Sequence, residues 1–267
     1  MQRQAISAKL GQLEQAGRFD EMGPLRSEID RTVEGLGTVE RLFNAMRTAS
    51  YHFAMADRAA NEEAVAEAMR LAEPMGAHNR THAWAQATEL YVARGDWARV
   101  KDLAAITAKL LREAKDTAFC GNAAGILRDG AVAHSLAGAR DEALALLALA
   151  PTADVEPAIL TAIPRALLGL ASPETDAALA AKGRAWWDWV GAAFRAVILG
   201  RPENAELALD AIATVAAHSV AYGALADGVR EAVAEMRGGP PATYAPLRTI
   251  GYVGWIEILE RRVDPRA

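Results

Sequence analysis

His78 and His82 lie four residues apart in AHNRTHAW. On a helix that spacing puts two imidazoles on one face, where they could begin a metal site. Zinc needs a third ligand, and no His-Glu-x-x-His run supplies one. The polar opening turn of a helix accounts for the same residues, so no metal site is expected. Cys120, in TAFCGNAAG, is the one cysteine. A thiol nucleophile needs a neighbouring base and a lowered pKa, and nothing local supplies either. A small residue at a helix contact is expected there. Gly35 and Gly37 in EGLGTVE form half of a dinucleotide fingerprint, without the third glycine or a preceding strand. A helix stop, with Thr38 capping the next helix, fits them better. Neither a phosphate-cradling G-x-x-x-x-G-K nor a G-x-S-x-G elbow occurs, and neither catalytic residues nor a cofactor are expected.

The stretch GRAWWDWVGAAF holds Trp186, Trp187 and Trp189. Successive helical residues project about 100° apart, so the three indoles cannot all point inward. Trp189 is expected between helices, and one of the flanking pair on a recognition surface. The alternative is that both cover a neighbouring helix or a homodimer contact.

These residues must be carried by helices. Hydrophobic residues make up 52% of the 267, aromatics only 6%, and alanine is abundant. Alanine favours helix and lets helices approach closely. In LYVARGDWARVKDL, residues 90–103, two helical stripes flank Gly95 and Asp96. Gly95 can take the left-handed conformation that ends a helix, and Asp96 can cap the next. Similar breaks recur near 17, 59, 138, 171, 200 and 237, a pitch suited to arrays of helical hairpins.

The expected helices are about 2–16, 23–35, 38–57, 61–75, 78–94, 97–115, 117–137, 140–150, 157–171, 173–182, 184–199, 202–217, 219–237 and 245–262. Asn61-Glu62-Glu63 reads as a cap and an acidic first turn. Residues 151–173 are irregular, with four prolines. GGPP, 238–241, separates a closing segment, 238–267, from an array over 1–237. IGYVGWIEILERR within it reads as a helix, with strand as the alternative.

The net charge of −5, with Lys and Arg dispersed, excludes the concentrated positive face that nucleic acid needs. The longest uncharged stretch, 211–226, is too short to cross a membrane. One cysteine and an N-terminus without an apolar leader lead to a cytoplasmic expectation.

Trp84, Ala87, Thr88 and Tyr91, followed by Gly95, resemble the first helix of a tetratricopeptide (TPR) repeat, W-x2-L-G-x2-Y. Leu127, Gly130, Ala131 and His134, with Gly138 and Ala143, resemble a second copy. Trp189, Ala192, Ala193 and Ala196, with Gly200 and Ala205, resemble a third. The resemblance covers 78–150 and 184–217. The irregular pitch is similar to the divergent arrays in C-terminal regions of bacterial LuxR/MalT-type regulators. It implies an all-α superhelix, a solenoid of antiparallel hairpins, whose concave face carries His82, Gln86, Glu89, Arg128, Asp129, Trp187 and Phe194, with Trp186 beside them. It implies a non-catalytic module that binds a protein, a peptide or a small effector. Two other readings stay open: an all-helical enzyme with an enclosed pocket near Trp186 and Trp187, and a structural oligomerisation module.

Overall fold

The structure is a computed structural model that describes residues 2–30, 35, 37–113, 121–150, 161–170 and 185–262. The described residues form fifteen α-helices and no strand. In chain order these begin with α1 (Gln2–Gln15), α2 (Met22–Asp30), α3 (Thr38–Ala54), α4 (Arg58–Ala72) and α5 (Ala77–Arg94). Next come α6 (Trp97–Glu113), α7 (Gly121–Leu136), α8 (Arg140–Leu149), α9 (Ala162–Leu167) and α10 (Trp186–Ile198). The last five are α11 (Pro202–Ala211), α12 (Ala213–Ala217), α13 (Val220–Met236), α14 (Ala245–Ile250) and α15 (Val253–Glu260). Cys120, the expected helix at 173–182 and most of the proline-rich stretch lie outside the described residues. No helix among the described residues is long and apolar enough to cross a membrane.

Local chemistry explains the hairpins. Gly95 has φ +73°, and its N–H and that of Asp96 bond back to the last turn of α5. Asp96 then accepts from the Arg99 N–H at 3.4 Å to open α6. Gly138 and Gly200 also have positive φ and stand between α7 and α8 and between α10 and α11. Gly95→Val should cost about 2–3 kcal/mol, because a β-branched residue is strained at this φ. A Cβ there would also meet Glu257 Oε1 at 3.0 Å. Chemical denaturation measures the loss, and a value near zero would contradict the left-handed turn.

Some expected caps are corrected. The N–H of Gly37, not Thr38, marks the start of α3, where the Glu40 side chain accepts it at 2.9 Å. Asp57 caps α4, and Asn61 is buried one turn inside it, donating to the Ala49 carbonyl at 2.7 Å. The expected helix 202–217 is two, α11 and α12, broken at Ile212. The break lays Val215 on the turn after α1, where a Cβ on Gly17 would come within 2.7 Å of the Val215 Cβ. The segment 245–262 is also two helices, parted by Gly251 at φ +77°, and neither is a strand. Trp84, a signature position, is only partly buried, with the Arg80 guanidinium 5.7 Å from its ring centre.

Helices joined by these turns pack as neighbours: α3 with α4, α5 with α6, α7 with α8, α10 with α11. The first helices of the pairs also touch in succession. α3 meets α5, α5 meets α7, α7 meets α9, α9 meets α10, α10 meets α13, and α13 returns to α3. The inner row therefore closes on itself. Two long-range hydrogen bonds make the joint. Ser219 Oγ donates to the Ala54 carbonyl at 2.7 Å, and Tyr252 Oη donates to the Phe53 carbonyl at 2.8 Å. Ser219 satisfies a carbonyl at the end of α3 that the helix itself leaves open, and Tyr252 adds a second donor to the Phe53 carbonyl, which already accepts from the Ala56 N–H. The closing helix α15 packs on α5, α10 and α13, burying Trp255, Ile256, Ile258 and Leu259. One apolar core consequently runs from Leu10 to Leu259.

Candidate functional site

The inner row surrounds empty space. Three cavities of about 350, 530 and 140 Å³ share Glu89 and Trp187 on their walls. The two larger volumes suit a small molecule or the end of a chain. Each surrounding helix supplies side chains. Glu14 comes from α1, Arg47 and Ser50 from α3, Gln86 and Glu89 from α5. Arg128 and Asp129 come from α7, Ile163 from α9, Trp186 and Trp187 from α10, and Tyr222 from α13. The three-residue spacings, 47 to 50 and 86 to 89, keep each pair on one face of its helix. Trp255 and Ile258 of α15 line the smallest cavity.

Glu89 is the centre of the polar groups. Tyr222 Oη donates to its Oε1 at 3.0 Å across the cavity. Burial raises the Glu89 pKa to about 7; the Tyr222 bond and Arg128 oppose the rise, while Asp129 and Glu14 add to it. Burial also raises Glu14, against the pull of Ser50 and Arg47. Arg128 Nε donates to Asp129 Oδ1 at 2.7 Å. Burial disfavours the charge on Arg128, but Asp129, Glu89 and Asp188 outweigh it and raise its pKa. Tyr222 is held well above the usual phenol range by burial and by Glu89. Ser50 Oγ donates to Gln86 Oε1 at 3.1 Å.

The aromatic wall is ordered by contacts between distant segments. Trp186 Nε1 donates to the Glu14 carbonyl at 3.2 Å, tying α10 to α1. Its ring stands 4.9 Å from Tyr222, 5.5 Å from Trp187 and 5.8 Å from Phe19. Trp187 keeps 51% of its surface exposed, which makes it the aromatic wall residue open to an incoming molecule.

Of the residues expected on a concave face, Gln86, Glu89, Arg128, Asp129, Trp186 and Trp187 line this space. Phe194 faces the smallest cavity but is 3% exposed; it lies two turns deeper on the face of Trp187 and packs on Trp255 at 6.1 Å. It is a core residue. His82 is one turn beyond Gln86 on the same face; it does not itself line the cavity, but it touches Asn122, which does. It also contacts His78 at 3.3 Å and the Phe43 ring. Among the described residues, one group of His, Asp and Glu converges elsewhere, Asp20, Glu21 and His218, where Glu21 is paired with Arg18. Trp189 is partly buried against the core, while Ala143 and Ala205 are fully buried. Glu14, Arg47, Ser50 and Tyr222 were not expected on the wall. Their signal is weak: Glu14 follows apolar Leu10 and Leu13, and Tyr222 sits in the long uncharged stretch.

The raised Glu89 pKa carries a stability consequence. Between about pH 4.5 and pH 7 the folded chain holds a proton on Glu89 that the unfolded chain has released, so stability falls as pH rises through that window. Stability from this group is fully present below about pH 4.5. Glu89→Gln removes the dependence and keeps an acceptor for Tyr222. It should exceed the unaltered protein in stability at pH 8 by on the order of 2–3 kcal/mol and match it near pH 4. Urea denaturation at both pH values checks this; a destabilised variant at pH 8 would contradict it.

No known protein family, curated protein or solved structure matches the chain.

Proposed function

We propose that the protein is a non-catalytic binding module: a TPR-like superhelix of hairpins that returns on itself and takes a small effector, or the end of a peptide, into its interior. One observation carries the reading. Six side chains from α5, α7 and α10 that the TPR resemblance implies on or beside a concave face line cavities with Glu89 and Trp187 in common. The aromatic side supplies contact area, and the polar side supplies orientation. Ligand occupancy would brace several inner helices against each other, a way to bias a larger regulatory assembly.

The test is a thermal-shift screen of small molecules and peptides on the full chain, repeated with Trp187→Ala and Arg128→Ala. Hits that stabilise the protein should lose most of their effect in both variants, while Ile106→Ala, on the exposed side of α6 and away from the cavity wall, leaves them unchanged. Hits indifferent to Trp187 and Arg128 would refute the assignment.

A second reading, an all-helical enzyme, has one observation behind it. A carboxyl that titrates near pH 7 can take or give a proton at working pH. It predicts that a bound ligand changes mass on incubation with the protein and not with Glu89→Gln; the binding reading predicts recovery of the ligand intact.

A further inference from the structure

Among the described residues on the cavity wall, setting aside Asp188, carboxylates outnumber guanidiniums: Glu14, Glu89 and Asp129 face Arg47 and Arg128. Arg128 is committed to its neighbours, with Nε on Asp129 and with Glu89 and Asp188 acting on its charge. An anion approaching Arg128 would therefore meet three carboxylates. Arg47 contacts Ser7 and acts on Glu14. Glu89 uses Oε1 to accept from Tyr222, and its Oε2 has no hydrogen-bond donor among the described residues. Beside these carboxylates stand the rings of Phe19, Trp186, Trp187 and Tyr222, whose faces attract cations.

We propose that this cavity is a binding site for an organic ammonium ion, with the charge held by the Glu89 carboxylate and the rings of Trp186 and Trp187. The proposal rests on the reading of the cavity as a binding site and adds the ligand's charge class. A cation restores neutrality in a sheltered space, where charges interact more strongly than in water. It supplies Glu89 Oε2 with a partner, and its hydrocarbon part lies on the indoles. An aliphatic or aromatic amine carries both parts.

Binding of such a cation requires Glu89 ionised, so it must release a proton where Glu89 is protonated. The groups facing Glu89 are Glu14 from α1, Arg128 and Asp129 from α7, and Tyr222 from α13, with Tyr252 close enough to feel its charge. Glu89 is the carboxyl raised to about 7, so affinity should weaken about tenfold between pH 8 and pH 6 as its ionised fraction falls.

Isothermal titration of the full chain tests this with benzylammonium, which brings N–H donors to Glu89 Oε2 and stays charged from pH 6 to pH 8. Benzyl alcohol, benzoate and phenylalanine serve as neutral, anionic and zwitterionic counterparts. The cation should bind tightest, at least tenfold more weakly to Glu89→Gln, and at least threefold more weakly to Trp187→Ala. The pH dependence should vanish in Glu89→Gln, whose folding is checked by the urea denaturation described above. Benzoate, phenylalanine or benzyl alcohol binding as tightly as the cation would overturn the charge class while leaving the cavity a binding site. Failure of every probe to bind, or equal binding of the cation to Glu89→Gln, would also overturn the proposal. A screen hit that depends on Trp187 but carries no positive charge separates the two failures.

Discussion

Gly254→Ala is expected to lower stability by about 3 kcal/mol or more, at the upper end of what overpacking costs. Gly254 opens α15, and its backbone lies directly on the turn between α5 and α6. A Cβ there would stand 1.9 Å from the Val92 carbonyl oxygen and 2.5 Å from the Gly95 nitrogen. Those are backbone atoms, and Gly95 is already committed to a left-handed turn. The strain cannot be relieved by a rotamer change, so α15 must lift. Lifting it also pulls Glu257 from Trp97 Nε1, which it accepts at 2.6 Å. Differential scanning calorimetry should show a fall of roughly 6–12 °C in Tm. A fall of under 2 °C would mean that α15 does not seat on this turn.

Trp255→Ala should cost about 3–5 kcal/mol. The indole is 5% exposed and sits where the inner row converges. Its ring centre is 5.2 Å from Tyr252, 5.7 Å from both Phe53 and Tyr222, and 6.1 Å from Phe194. Those partners come from α3, α10, α13 and the residue before α15, so no single neighbour can move to fill the space. Truncation also enlarges the smallest cavity, whose wall Trp255 forms. Denaturant unfolding measures the loss; less than about 1 kcal/mol would place the ring at the surface.

The hairpins were legible in the residues because their causes are local. Gly95 and Asp96 act within one turn of themselves, and alternation of apolar positions at helical spacing exposes the inner face of each helix. The resemblance to a TPR first helix is what assigns Gln86, Glu89, Arg128 and Asp129 to a concave face. It does not assign depth along the face. His82 and Phe194 share a face with wall residues, but one stands a turn outside the cavity and the other is covered by α15.

Closure was illegible for a related reason. It depends on Ser219 and Tyr252 reaching the end of α3, 165 and 199 residues away in the chain. No periodicity in either segment encodes a partner at that distance. Glu14, Arg47, Ser50 and Tyr222 join the wall only through that closure, and they lie outside the stretches where the repeat pattern sets a register. Short helices were missed as well. Pattern alone runs α11 into α12 and α14 into α15, whereas packing against the turn at Gly17 and the left-handed Gly251 divide them.

Enclosure of Glu89 by the closed inner row underlies both the binding site and its charge preference. Carbon-13 NMR of the Glu89 side-chain carboxyl, followed from pH 3 to pH 9 in the full-length chain, tests it most directly. A midpoint of about 7 is predicted. A midpoint near the ordinary glutamate value of about 4.3 would mean an open, watered groove instead of a sheltered interior.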